Sequence, residues 1–376
     1  MENRAESDAL HARVQAFIEG SMRGAPPERF DDLALAIARF QATNVPALGR
    51  LCRARGVDLA AAREAEAIPA LPCDVFRLAR VAAHSPSEDE RVFRTSGTSQ
   101  GSEARGEHPF RSTATYALAA LRWGAAMLWP DRASMRTIVL APPLEEAPDS
   151  SLGFMIDRFG AALGGRSSFH VRGGRLDLEG VARAAAQARA EGEPVLVLGT
   201  SFAFVHLLDD AAALDLSLPS GSRAMQTGGF KGRSREVEPA ELRRGIATAF
   251  ALPEAHVVGE YGMTELSSQL YEGALLSALG KRSSGRHGVY LGPPWVRVTA
   301  VDPVHLAPLP AGETGILRIV DLANVDSSVA IQTSDRGRVT AEGVELLGRA
   351  PGAVPRGCSL AIEELFARSG SGAEAG

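Results

Sequence analysis

Gly259-Glu260-Tyr261-Gly262-Met263-Thr264-Glu265 follows directly on the apolar run His256-Val257-Val258. An apolar run ending in glycines, hydroxyls and acids is the pattern of a strand that delivers a ligand loop at its carboxyl end. Tyr261 offers an aromatic face to a purine, Thr264 a donor to a phosphate, and Glu265 a hard oxygen ligand to magnesium. Alone, the segment reads equally well as a strand end with a polar turn, so its surroundings decide.

Upstream, Thr137–Ala141 and Pro194–Gly199 are also short and apolar, while Leu178–Ala190 and Pro239–Phe250 have helical composition. This alternation predicts an α/β fold whose parallel sheet is covered by helices on both faces. From Val289 to Glu345 the pattern changes to short strands, Val296–Val301, Ile316–Val320 and Ser328–Gln332, with a turn at Pro310-Ala311-Gly312-Glu313-Thr314-Gly315. That predicts a smaller antiparallel or barrel-like β subdomain. The first 90 residues are rich in Ala, Arg and Leu at helical spacing and are broken by prolines at 26, 27, 46, 69 and 72, predicting several short helices. The expected organisation is a helical amino-terminal part over 1–90, an α/β core over 91–288, a β-rich subdomain over 289–347 and a short segment over 348–376.

The 376 residues allow a sizeable core, and 45% hydrophobic with 23% charged residues is ordinary for a globular protein. A net charge of −5 and 6% aromatics exclude the basic, base-stacking surface that nucleic-acid binding needs. Cys52, Cys73 and Cys358 lack metal-ligand spacing and fit free thiols in a reducing compartment. With neither a signal-peptide pattern at the start nor a run long enough to span a bilayer, a cytoplasmic location is expected. The lysines are only two, Lys231 and Lys281, so any chemistry requiring lysine has two candidates.

Two further segments carry chemistry. In Arg94-Thr95-Ser96-Gly97-Thr98-Ser99-Gln100-Gly101, small hydroxyl residues between glycines let backbone amides approach a phosphate, though a surface turn has the same composition. Gly97 to Gly101 also fits G-x-S-x-G, but a hydrolase elbow needs a helix straight after the serine, and Gly101 to Pro109 contains two glycines and a proline. Around Lys231 the nucleotide P-loop spacing is absent. In Thr333-Ser334-Asp335-Arg336-Gly337-Arg338, a carboxylate can accept from ribose hydroxyls, or the segment is a plain Asp-x-Gly turn.

Taken in order, Thr95–Gly101, Tyr261–Glu265, Pro310–Gly315, Thr333-Ser334-Asp335 and Gly348-Arg349 resemble the motifs of the adenylate-forming superfamily of acyl-CoA ligases, adenylation domains and luciferases. The resemblance covers about Val92 to Leu365. It implies that Thr95, Ser96, Gly97, Thr98, Ser99 and Gly101 hold ATP phosphates, that Gly228 and Gly229 line the adenine, and that Tyr261 stacks on it. It further implies that Thr264 meets the α-phosphate, Glu265 the Mg²⁺, and Asp335 the ribose with Arg349 nearby. Gln100-Gly101-Ser102 replaces the family's Pro-Lys-Gly ending, and Thr-Ser-Asp replaces Thr-Gly-Asp.

Typical members continue past the hinge into a mobile domain that bears a catalytic lysine, whereas 27 residues without lysine follow Arg349 here. The chain is most similar in this to the LuxE-type acyl-protein synthetases, which Ser150–Met155, Thr227–Arg233 and Arg356–Leu360 also resemble. That family adenylates a fatty acid and moves the acyl group to its own cysteine near the carboxyl end, the position of Cys358. A buried structural thiol is the alternative for Cys358, and Lys231, Arg233 or Arg356 are candidates to supply the missing positive charge. The expected partner is an acyl-accepting reductase or carrier protein; direct acylation of coenzyme A and a degenerate nucleotide-binding scaffold are the rivals. Tyr116–Trp129 and Leu152–Phe159 either wall an acyl tunnel or are core helices.

Overall fold

The computed structural model describes residues 2–95, 105–210, 214–228 and 237–349. The helices are α1 (Glu2–Met22), α2 (Phe30–Asn44), α3 (Pro46–Ala54), α4 (Ala114–Leu128), α5 (Ser151–Ala162), α6 (Leu178–Glu191), α7 (Ser201–Asp210) and α8 (Pro239–Phe250), besides shorter turns. The strands that matter are β1 (Leu71–Pro72), β2 (Arg91–Arg94), β3 (Glu107–Phe110), β4 (Arg136–Leu140), β5 (Ser167–Phe169), β6 (Val195–Thr200), β7 (Arg223–Thr227) and β8 (Val257–Tyr261). They are followed by β9 (Leu270–Glu272), β10 (Val289–Leu291), β11 (Val296–Val301), β12 (Thr314–Asp321), β13 (Ala330–Thr340) and β14 (Gly343–Arg349).

A single 12-stranded sheet runs β11-β12-β13-β14-β10-β9-β8-β7-β6-β4-β5, with β1 added in parallel to β13. Its β5-β4-β6-β7-β8 half is parallel, and the helices between successive strands cross over it. The inner parallel strands β4, β6, β7 and β8 carry apolar residues on both faces, and alternate residues serve opposite layers. Ile138, Val197, Ala224 and Val257 pack with α6, α7 and α8, whereas Val139, Leu196, Met225 and Val258 pack with α4 and α5. This two-sided burial is why these runs show no polar alternation in sequence. Helix α8 starts with Pro239 in its first turn, and Glu238 accepts from the amides of Ala240 and Glu241, which stops the helix from fraying.

Beyond β8 the ladder turns antiparallel through to β11 without a break. Thr333 to Arg338 lies within strand β13, not in a turn. A register shift between Asp335 and Gly337 gives the segment its turn-like composition, because a bulge leaves one residue of the ladder unpaired.

Helices α1 to α3 cover the antiparallel half, burying Leu33, Ile37, Leu48 and Leu51 against Ile319, Val325 and Ile331. The Arg318 guanidinium, buried in this interface, donates to the carbonyls of Ala65, Glu66 and Ile68 and so ties the amino-terminal part to β12. Among the described residues, no helix is long and apolar enough to cross a membrane.

Candidate active site

Strands β7 and β8 lie side by side in parallel, with Thr227 opposite Glu260, so their carboxyl ends share the edge at which sheets of this kind offer a ligand crevice. At the end of β7, Gly228 adopts φ +78°, a left-handed conformation that a side chain would strain. The Ser201 hydroxyl, at the first turn of α7, lies 2.7 Å from the Gly228 carbonyl and also bonds Gln226, fixing where this loop starts.

Across the crevice, the Tyr261 hydroxyl donates to Asp335 at 2.8 Å. Asp335 lies opposite Arg349 in the β13–β14 pair, and the Arg349 Nε is 3.4 Å from its carboxylate. Three residues separated by up to 88 positions therefore meet at one point. Arg349 is 70% exposed, so its ion pair adds at most about 1 kcal/mol and stability does not explain the arrangement. Burial, and then the Asp335 charge, push the Tyr261 phenol well above its ordinary range, so it stays a donor. Thr333, in contrast, spends its hydroxyl on the Leu317 carbonyl and accepts from the Asp335 amide, a structural role.

Thr264 and Glu265 follow on the turn after β8, and both of their carbonyls are held. His108 Nδ1 is 2.7 Å from the Thr264 oxygen, and Asn324 donates to the Glu265 oxygen at 2.9 Å. Burial drives the His108 pKa down to about 4, so its imidazole is neutral. Donating from Nδ1, it must accept at Nε2, where the Ser327 hydroxyl sits at 2.8 Å. Glu265 itself is buried. Among the described residues, no three His, Cys, Asp or Glu gather as a metal site. A single carboxylate fits Mg²⁺ nonetheless, since that ion commonly takes one or two protein carboxylates and completes its shell with phosphates and water.

Thr95 closes the β2–β3 hairpin, where its hydroxyl accepts from the Gly106 amide at 2.9 Å. The next described element after β2 is its antiparallel partner β3, not a helix, which disfavours the hydrolase-elbow reading. Ser96, Gly97, Thr98, Ser99 and Gly101 lie outside the described residues, as do Gly229, Lys231 and Cys358. The apolar stretches around Trp123 and Phe154 are α4 and α5, packed so closely that a methyl on Gly124 would strike the Phe159 ring.

Sequence reasoning missed several residues at the crevice. The Glu260 carboxyl accepts from the Thr227 hydroxyl and folds over Gly262, where an added Cβ would come within 2.4 Å of its Oε1. It thereby ties the β7 loop to the β8 loop, and burial raises its pKa to about 7. Cys73 follows β1, donates its amide to the Gln332 carbonyl, and bears electrostatically on the Tyr261 phenol, which places it beside the crevice. The available signal for Glu260 was an acid inside an otherwise small and apolar strand end. His108 and Asn324 had none, because their role depends on tertiary contact alone.

Solved structures share this fold. A crystal structure of ATP-bound MatB from Rhodopseudomonas palustris matches with a TM-score of 0.51 at 16% identity, covering 71% of this chain and 49% of that one. An open conformation of 2-hydroxyisobutyryl-CoA ligase, in complex with 2-HIB-AMP and CoA, matches with a TM-score of 0.61 at 15% identity, over 85% of this chain and 69% of that one. The chain thus spans about half the length of the MatB structure. The fold class is that of the adenylate-forming ligases.

Within that class, residues 40–367 match the family described as "Acyl-protein synthetase, LuxE", and the chain belongs to that family. The long-chain-fatty-acid–luciferin-component ligase of Vibrio harveyi is 23% identical over 321 residues, 81% of this chain and 80% of its own length.

Proposed function

We propose that the chain activates a carboxylic acid of the fatty class by joining it to the α-phosphate of ATP, and then passes the acyl group to Cys358 and onward to an acceptor protein. The observation that carries the reading is the convergence of Tyr261, Asp335 and Arg349 at the crevice where Thr264 and Glu265 stand. Asp335 is suited to ribose hydroxyls, and Tyr261, held in place by that same carboxylate, to the adenine face. Thr95, Ser96, Gly97, Thr98, Ser99 and Gly101 are assigned to the phosphates, and Gly228 and Gly229 to the adenine edge.

In the first step a carboxylate oxygen attacks the α-phosphorus and pyrophosphate leaves. Two anions approach one another, so preorganised positive charge governs the barrier. Lys231 is assigned this task, and Glu265 would hold Mg²⁺, which when bound neutralises phosphate charge. The Thr264 hydroxyl would donate toward the α-phosphate. In the second step the Cys358 thiolate attacks the acyl carbonyl, a C–S bond forms, and AMP leaves with the bridging oxygen.

ATP–pyrophosphate exchange across fatty, aryl and amino acids, followed by intact-mass measurement, tests the reading. The expected result is exchange with fatty acids and an acyl adduct that Cys358→Ser abolishes. Exchange with none of the acids would defeat it. An adduct that survives in Cys358→Ser would move the acceptor elsewhere, with Cys73 the first thiol to replace. Thioester formation on free coenzyme A that is unaffected by the serine variant would favour a direct acid–CoA ligase.

A further inference from the structure

The segment from Asp321 to Ser328 is polar yet buried, an expensive arrangement unless each group is satisfied. Its partners fall into two sets. Toward the crevice, Asn324 donates to the Glu265 carbonyl and to the Ser328 carbonyl, at 2.9 and 3.0 Å, and accepts from the Ser267 hydroxyl at 2.5 Å. Asp321 takes the Ser267 amide and the Ser268 hydroxyl, at 2.9 and 2.8 Å. Ser327 meets His108, whose other nitrogen holds the Thr264 carbonyl.

Away from the crevice, the same segment is gripped by the amino-terminal helices. Gln41 of α2 donates to the carbonyls of Asn324 and Val325, at 2.6 and 2.8 Å, and accepts from the Val329 amide at 2.9 Å. Asp326 takes the Ser7 hydroxyl and the His11 ring of α1, at 2.5 and 2.9 Å, with Arg111 at 3.4 Å. The family match begins at residue 40, so α1 and the first ten residues of α2 precede it, while Gln41 lies just inside it. A merely structural plug would not require two separate side chains on two consecutive carbonyls of the turn that carries the reacting groups.

We propose that His108 and Asn324 are positioning residues for adenylation, aiming Thr264 and Glu265 through their main-chain carbonyls from a 321–328 segment that α1 and α2 hold rigid. This rests on the adenylation reading above. The amino-terminal helices are on this view part of the active-site machinery, because they over-determine the segment that orients the turn. A site held to within about half an ångström needs such outer support, and small misplacement costs on the order of a hundredfold in rate.

The test pairs two substitutions at one position. In His108→Asn the amide nitrogen stands where Nδ1 stood and still donates to Thr264; in His108→Gln the longer side chain reaches Ser327 and leaves the Thr264 carbonyl without its donor. Both lose the same aromatic packing against Phe76 and Phe110. ATP–pyrophosphate exchange gives kcat and KM, calorimetry gives MgATP affinity, and a melting curve gives stability. The glutamine variant is expected to lose roughly 10- to 100-fold in kcat. Its MgATP affinity is expected to stay near that of the wild type, and the asparagine variant to recover most of the lost turnover. Equal turnover in wild type and the glutamine variant, or losses in both variants that only follow their melting temperatures, would overturn the proposal. Should neither variant fold, Ser327→Ala leaves the ring packed and frees Nε2; a several-fold drop in kcat supports the proposal and an unchanged kcat defeats it. If the wild type exchanges with no acid, the adenylation reading fails first and the proposal with it.

Discussion

Glu260 gives the sharpest quantitative consequence of the site's burial. Its carboxyl is enclosed at the ends of β7 and β8 with one hydroxyl donor, and its pKa rises from an ordinary 4.5 to about 7. The folded protein therefore holds a proton that the unfolded chain has released between those two values. Stability from this group is complete below pH 4.5 and is lost as the pH rises through 7. The gap corresponds to about 3 kcal/mol, and above pH 8 the wild type bears all of it. Glu260→Gln keeps the size and the acceptor for Thr227 but cannot ionise. The variant should match wild type near pH 4.5 and exceed it by about 3 kcal/mol near pH 8.5, a melting difference on the order of 4 °C for a chain of this length. Paired melting curves across that range cancel contributions common to both proteins, including Asp321, whose pKa rises to about 6, and His108. A difference that does not grow with pH, or a variant less stable throughout, would refute a buried titrating acid.

Glu265→Gln is expected to reduce exchange by about 100-fold or more, well beyond what its change in melting temperature accounts for, and the Asn324 bond to its carbonyl survives the substitution. A matching loss of stability would mark Glu265 as structural. Tyr261→Phe removes the donor to Asp335, so KM for ATP should rise several-fold with a stability cost near 1 kcal/mol; calorimetry showing unchanged MgATP affinity would detach Tyr261 from the nucleotide. Gly262→Ala puts a methyl 2.4 Å from the Glu260 Oε1 and should expel that carboxyl from its seat, lowering exchange at least tenfold; wild-type exchange would show that the two loops need not be joined there. For His108, the lowered pKa means stability falls as pH drops from 6.5 to 4, and His108→Asn should flatten that limb of the melting profile.

Elements in both halves of the sheet were legible where their signals are local. Pro239–Phe250 and Val296–Val301 coincide with the observed helix and strand, the first because of its Pro and Glu238 start and the second because of its β-branched run. Tyr261, Asp335 and Arg349 could be singled out by motif order, and they stand together in space. Strand β13 was misjudged at Thr333–Arg338 because a bulge carries turn-type residues inside a ladder. The 321–328 segment escaped notice for another reason. Asp321, Asn324 and Asp326 have the composition of a surface loop, and only the arrival of α1 and α2 from the far end of the chain makes it interior. Likewise, nothing local marks Arg318 as the buried tie to the carbonyls of Ala65, Glu66 and Ile68.

Isotope transfer from the acid to AMP tests the central claim most directly. The chain is incubated with ATP, Mg²⁺ and a fatty acid carrying ¹⁸O in its carboxylate, and the released nucleotide is weighed. Attack on the α-phosphorus followed by acyl transfer predicts AMP with one ¹⁸O and pyrophosphate with none. Unlabelled AMP, or ADP as the labelled or major product, would contradict acyl-adenylate formation by this protein.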